Sequence, residues 1–264
     1  MSVQSYMTFA VVGSGNVASH LATALCRSGA ECVAVFSRTL DHAELLSTRL
    51  GTVATSDLLE FFGLVASVDV VFLAVADNAI PLVVESVPSD FSPVVLSTSG
   101  STPISVLGSI PHHGVLYPMQ TFSKGREVMM AEVPFFVEYG DEHVAKVVQE
   151  VARRLGTKSV SELSSENRMR MHMSAVFGCN FVNHMYALAE KCLEGTGVPF
   201  SALAPLLEET LRKALGDSPV RVQTGPAVRN DTQTLERHMQ LLENQPQLRR
   251  LYKILSDSIY EQSS

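Results

Sequence analysis

The chain has 264 residues, 46% of them hydrophobic and 18% charged, with 27 acidic against 20 basic side chains and a formal net charge of -7. A chain of this length removes roughly 70–75% of its extended surface from water on folding, so it can build a core without disulfides or metals. The acidic balance speaks against a partner held through phosphates, which needs a basic face. The longest apolar run, residues 70–76, falls far short of the ~20 residues of a bilayer span. Neither nucleic acid nor a membrane is therefore expected as a partner. Residues 1–6 carry no Lys or Arg, and the apolar stretch after them breaks at Gly13. No signal peptide is expected, and the protein is expected in the cytoplasm. Cys26, Cys32, Cys179 and Cys192 match no zinc or redox spacing. They are expected as buried thiols, and no metal site is expected.

In chain order, the apolar run 8–12 ends at Gly13, and residues 17–28 then repeat their apolar positions at helical spacing up to Gly29. A β-branched run at 31–37 and an amphipathic helix at 40–50, closed by Gly51, repeat the alternation. A weak strand near 52–54 and a helix from Ser56 lead to 70–75, which is apolar on both faces and so belongs in the middle of a parallel sheet. Asp77 is positioned to cap a helix running through Ser86, and 94–97 is the next strand. Short runs at 115–117 and 134–137 and a helix over 141–155 complete this half. Such regular alternation predicts an α/β fold built on a doubly wound parallel sheet. After about residue 160 the pattern becomes helical, over 164–194 with only Gly178 interrupting, then over 200–215 and 232–260. A separate all-helical domain is expected, with a boundary at 157–163, giving domains 1–160 and 161–264.

Gly13, Ser14, Gly15, Asn16, Val17 and Ala18 form a G-x-G-x-x-A pattern between a predicted strand and a predicted helix, the context that makes it a dinucleotide fingerprint. The first glycine permits the turn, the second lets backbone approach a pyrophosphate, and the N–H groups of the helix start receive the anion. An acidic residue at the end of the second strand would hold the ribose of NAD; this chain has Ser37, Arg38 and Thr39 there. An Arg fork suits the 2′-phosphate of NADP, so NADP (NADPH) is the expected cofactor. Ligands of parallel sheets sit beyond the carboxyl ends of the strands, which adds Ala76 and Ser99 to the candidate cofactor residues. Tyr117 to Phe122, ending the next strand, either lines a pocket or closes a turn.

On the 164–194 helix, His172 and Asn183 lie ~20° apart at 100° per residue, with Asn180 within ~80°. Such a stripe is a solvated face, a histidine satisfied within the core, or one wall of a cleft. In a cleft, His172 can serve as proton donor to a substrate reduced by hydride, with Asn180 and Asn183 orienting it. Arg229, in the turn-rich segment before the last helix, either clamps a substrate carboxylate or pairs with Asp231, which caps that helix.

These features in this order resemble a family of NADP-dependent oxidoreductases that join a Rossmann-like domain to a helical domain of unknown function 2520. The most specific parts are Thr224, Gly225, Pro226, Arg229 and Asp231 with His238 downstream, and Pro118, Gln120, Thr121 and Phe122. Family members often carry His where this chain has Tyr117 and Gly where it has Asn230, so no catalytic role is carried over to Tyr117. The N-terminal half is similar to pyrroline-5-carboxylate reductase and to the 6-phosphogluconate and β-hydroxyacid dehydrogenases. The resemblance implies a Rossmann-type fold, a second domain like the C-terminal one of 6-phosphogluconate dehydrogenase, NADP binding and a homodimer through the helical domain. It supplies no substrate, and the interdomain Lys of the β-hydroxyacid dehydrogenases has no counterpart between Ser164 and Glu190. The expected function is hydride transfer to or from a small polar metabolite in the interdomain cleft, with His172, Asn180, Asn183 and Arg229 as catalytic candidates. The alternatives are a non-catalytic NADP-binding sensor or partner-binding dimer, and an imine reductase of the pyrroline-5-carboxylate type.

Overall fold

A computed structural model describes residues 6–263. Residues 1–5, on which much of the signal-peptide expectation rests, lie outside the described residues. Eight strands form one sheet: β1 (Thr8–Val12), β2 (Glu31–Phe36), β3 (Val53–Thr55), β4 (Val70–Leu73), β5 (Val94–Ser97), β6 (His113–Pro118), β7 (Phe135–Tyr139) and β8 (Val160–Glu162), in the order β3-β2-β1-β4-β5-β6-β7-β8. Five helices belong with it: α1 (Asn16–Arg27), α2 (Leu40–Leu50), α3 (Leu58–Leu64), α4 (Ile80–Val84) and α5 (Glu142–Leu155).

Because side chains alternate across a strand, β1 sends Phe9 and Val11 to one face and Ala10 and Val12 to the other, and both sets are fully buried. The first face is covered by Leu21 and Leu25 of α1, Leu46 of α2 and Val148 and Val151 of α5; the second by Phe61 and Phe62 of α3 and Ile80 of α4. Helices on both faces make this a Rossmann-type doubly wound sheet. Two strands depart from the sequence expectation. β7 pairs antiparallel with β6, because the intervening segment is a loop with one 3-10 turn (Met130–Glu132) rather than the crossover helix a parallel pair needs. The stretch 157–163, which the sequence marks as a boundary, contains β8, parallel to β7 and reached through α5.

The remaining helices are α6 (Ser165–Ala175), α7 (Val182–Cys192), α8 (Ala204–Gly216), α9 (Thr232–Leu241) and α10 (Pro246–Ser263). Pro246 opens α10, which splits the helix expected over 232–260; its missing N–H and fixed φ suit a first turn and break a continuing one. A π turn, Val176–Phe181, joins α6 to α7 and contains Gly178. Its wider winding removes the uniform 100° step on which a common face for His172, Asn180 and Asn183 depends. The chain divides into two compact units within this turn, one ending at Cys179 and the other starting at Asn180. Cys32 is buried and Cys26 partly so, but Cys179 and Cys192 are exposed, contrary to the expectation for all four. Among the described residues no helix is long and apolar enough to cross a membrane.

Candidate active site

The turn between β1 and α1 is built on Gly13. Its φ is +122°, a Cβ there would lie 2.2 Å from the Ala74 carbonyl oxygen, and its N–H donates to the Phe36 carbonyl at 2.8 Å. Only glycine lets the loop press this closely onto the ends of β2 and β4. Gly15 is different: nothing lies within 4 Å of where its Cβ would be. It is the N-cap of α1 and has no side-chain cap, and no acidic residue sits in the first turn. The helix start therefore presents uncommitted N–H groups and its positive end to open space, as an anion requires.

A cavity of about 1090 Å³ opens over this loop. Of the cofactor candidates, Gly13, Ser14, Gly15, Asn16, Ser37, Arg38 and Ala76 line it. Ser14 and Ser37 are joined Oγ to Oγ at 3.0 Å, which ties the phosphate loop to the end of β2. Asn16 donates from Nδ2 to the Phe122 carbonyl at 2.8 Å, and the Phe122 ring lies 5.2 Å from that of His20. Phe122 thus docks the loop after β6 onto α1. Gln120 and Thr121 lie on a smaller hollow of about 350 Å³ nearby. Val17, Thr39 and Ser99 are not among the lining residues. Ser99 is buried and spends its hydroxyl inside its own turn, accepting from the N–H groups of Ser101 and Thr102 at 3.2 and 2.9 Å.

Most of the cavity's charge comes from residues outside the fingerprint. Among the described residues, Arg27, Arg38, Arg49, Lys124 and Arg126 line it against a single acid, Glu127, which pairs with Arg27. A cation-rich cavity in a chain of net charge -7 is electrostatically suited to an anionic ligand. Part of this was legible: Arg38, His42 and Arg49 fall at helical spacing and all line the cavity. Lys124 and Arg126, on a loop far along the chain, carry no such signal.

A second cluster forms where the turn after β5 meets β6 and α6. Tyr117 Oη lies 3.2 Å from His172 Nδ1, with the rings edge to face at 5.9 Å. Both rings lie over Gly100, where a Cβ would stand 2.7 Å from Tyr117 Cζ and 2.8 Å from His172 Nδ1. Burial pushes the Tyr117 phenol above its ordinary pKa, helped by the charges of Asp77 and Cys179. Asp77 makes no helix cap; it accepts from the Ser101 hydroxyl, which links the ends of β4 and β5.

α6 is held on the sheet by Arg168, a fully buried side chain one helical turn before His172. Arg168 pairs with Glu138 of β7 and donates from Nη2 to the Thr102 carbonyl at 2.7 Å. Ser165 donates to Glu138 at 2.8 Å and accepts from the Ile104 N–H at 2.9 Å. Leaving either charge unpaired at such depth would be costly, so the pair pins this helix in one place.

Asn180, Asn183 and Arg229 are exposed residues of the second unit. There Asp231 caps α9, accepting from the Thr234 N–H at 3.1 Å; its carboxyl is held below the usual range, chiefly by Thr234, with a smaller contribution from Arg229. His238 binds Tyr252 through Nδ1 at 2.7 Å, joining α9 to α10. Among the described residues no group of three His, Cys, Asp or Glu side chains is placed to hold a metal.

Residues 133–259 match the family model of a domain of unknown function, DUF2520, and residues 2–91 that of shikimate/quinate 5-dehydrogenase. A comparison with curated proteins gave no match. Among solved structures, the chain is similar to a Bacteroides fragilis protein provisionally described as an NADP oxidoreductase. The identity is 37% and the TM-score 0.85, over 97% of this chain and 98% of that one. Its fold is also similar to that of a pyrroline-5-carboxylate reductase from Coxiella burnetii, at 18% identity and TM-score 0.58 over 98% of each chain. A reductive aminase from Aspergillus terreus, solved with NADPH and ethyl-5-oxohexanoate, is similar at 15% identity and TM-score 0.68, over 97% of this chain and 92% of that one.

Proposed function

Since the chain belongs to the oxidoreductase family that joins a Rossmann-type domain to the domain of unknown function 2520, we propose that it is NADP-dependent and acts on a small polar metabolite bound in the interdomain cleft. The observation that carries the cofactor reading is the cavity over Gly13 and Gly15, where the cations outnumber the acids. Gly13 and Gly15 bring the backbone and the start of α1 to the pyrophosphate, Ser14 and Ser37 hold the loop to β2, and Arg38 takes the 2′-phosphate. When bound, the dinucleotide supplies hydride chemistry; the protein positions the reactants and handles the proton. His172 exchanges that proton. The helical unit acts as a dimerisation element, which its exposed Leu206, Leu211, Leu215 and Leu241 support.

Calorimetric titration with NADPH and with NADH, repeated on Arg38→Ala, tests this reading. Tight NADPH binding that falls to the NADH level in the variant is the expected result. No heat with either nucleotide would remove the cofactor and the enzyme with it. A screen of imines against 2- and 3-hydroxy acids, with NADPH absorbance as readout, then sorts the substrate class.

A further inference from the structure

We propose that Tyr117 is a positioning residue for His172: its phenol donates to Nδ1 and holds the imidazole in the tautomer that carries the proton on Nε2. The two side chains stand 55 residues apart in sequence and meet at 3.2 Å. A neutral imidazole has one donor and one acceptor nitrogen, and a hydrogen bond to one nitrogen settles the role of the other. Half-buried and made harder to ionise by burial, the Tyr117 phenol keeps its proton, and that O–H needs an acceptor. His172 Nδ1 is the acceptor the structure provides. With the proton on Nδ1 instead, the phenol oxygen would accept and its own hydrogen would have no partner in the cluster. Nε2 has no protein partner among the described residues and is the atom left to exchange a proton.

The pair is built rigidly. Gly100 leaves the floor beneath both rings without a side chain, since a Cβ there would collide with each. Arg168, Glu138, Ser165 and the Thr102 carbonyl tie α6, β7 and the turn after β5 together one helical turn before His172. The distance between phenol and imidazole therefore depends on packed backbone, not on a mobile side chain. The catalytic consequence, Nε2–H as proton donor to the substrate, rests on the oxidoreductase reading; the tautomer does not.

The test is long-range ¹⁵N–¹H correlation NMR on the full chain labelled at histidine, at a pH where the imidazoles are neutral. His172→Asn identifies the signal among the eight histidines. Wild type should show a pyridine-like Nδ1 and a protonated Nε2. Tyr117→Phe should collapse this into a mixture of tautomers, while 3-fluorotyrosine at position 117, a stronger donor in an unaltered fold, should retain it with a shifted Nδ1. A protonated Nδ1 in wild type, or a Tyr117→Phe spectrum like that of wild type, overturns the proposal. NADPH titration of the same samples keeps the two ideas separate. A locked tautomer in a protein that binds no nucleotide supports the positioning role and sinks the oxidoreductase reading. A mixed tautomer in one that binds NADPH does the reverse.

Discussion

The sheet unit and the helical unit handle their apolar residues in opposite ways. In the first, strands that are apolar on both faces are covered by helices from the same stretch of chain, and Phe9, Phe61, Phe72 and Phe135 are buried to 2% exposure or less. In the second, Ala227 is the only apolar residue buried among the described residues, while Leu215 and Leu241 are 80% and 79% exposed. A parallel sheet completes its core within one chain. Short helices with one-sided apolar stripes leave surface that a second molecule can cover.

That contrast predicts where substitutions will cost most. Phe72→Ala should remove about 3–5 kcal/mol of stability, because a ring buried between two layers leaves a cavity the neighbours cannot fill. Chemical unfolding of the isolated variant measures it, and a loss below ~1 kcal/mol would mean the sheet unit is far looser than its burial indicates. Gly13→Ala should follow, at roughly 1–3 kcal/mol for the forced backbone alone, and it should also abolish the NADPH heat, since the new Cβ meets the Ala74 carbonyl oxygen. Gly15→Ala should keep wild-type stability and lose only affinity, because its Cβ position is open. If both variants lose stability alike, the two glycines do not divide the work of turn and pyrophosphate contact between them.

Cysteine chemistry follows the burial of each thiol. Burial pushes the Cys32 thiol up to about 12 from an ordinary value of 9.0. A raised folded value means the thiol's stabilising contribution is whole below about pH 9, where it is neutral in both states. Above that the unfolded chain releases the proton first, so stability falls as pH climbs towards about 12. Cys32→Ala should flatten that part of the alkaline stability profile; an unchanged slope would assign it to other groups. In the native protein, iodoacetamide should modify exposed Cys179 and Cys192 and spare Cys32 until unfolding. The smallest change in protomer stability is expected for Leu211→Ser combined with Leu215→Ser, both at exposed positions. Sedimentation should show wild type as a dimer and this variant as a monomer. A monomeric wild type would leave the exposed leucines without the partner proposed for them.

Much of this protein is written in short-range patterns. Gly13, Gly29, Gly51 and Gly156 each stand with positive φ where the sequence pattern stops a strand or a helix, so a local steric rule marks the element ends. Strand-helix alternation announces the doubly wound sheet, and the Gly13 to Ala18 spacing announces the cavity, because both depend on periods of a few residues. Asp231 is recognisable as a cap for the same reason. Other features depend on which distant segments meet. The direction of β7 follows from a missing crossover helix, and β8 is three exposed residues recruited by a neighbour. The π turn shifts the phase of a helix that looks regular in sequence. Lys124 and Arg126 reach the cavity, Arg168 finds Glu138, and Tyr117 meets His172 over Gly100 because the sheet places the ends of β5, β6 and β7 side by side. No local spacing encodes those meetings; they arise when burial of the apolar strands sets the strand order.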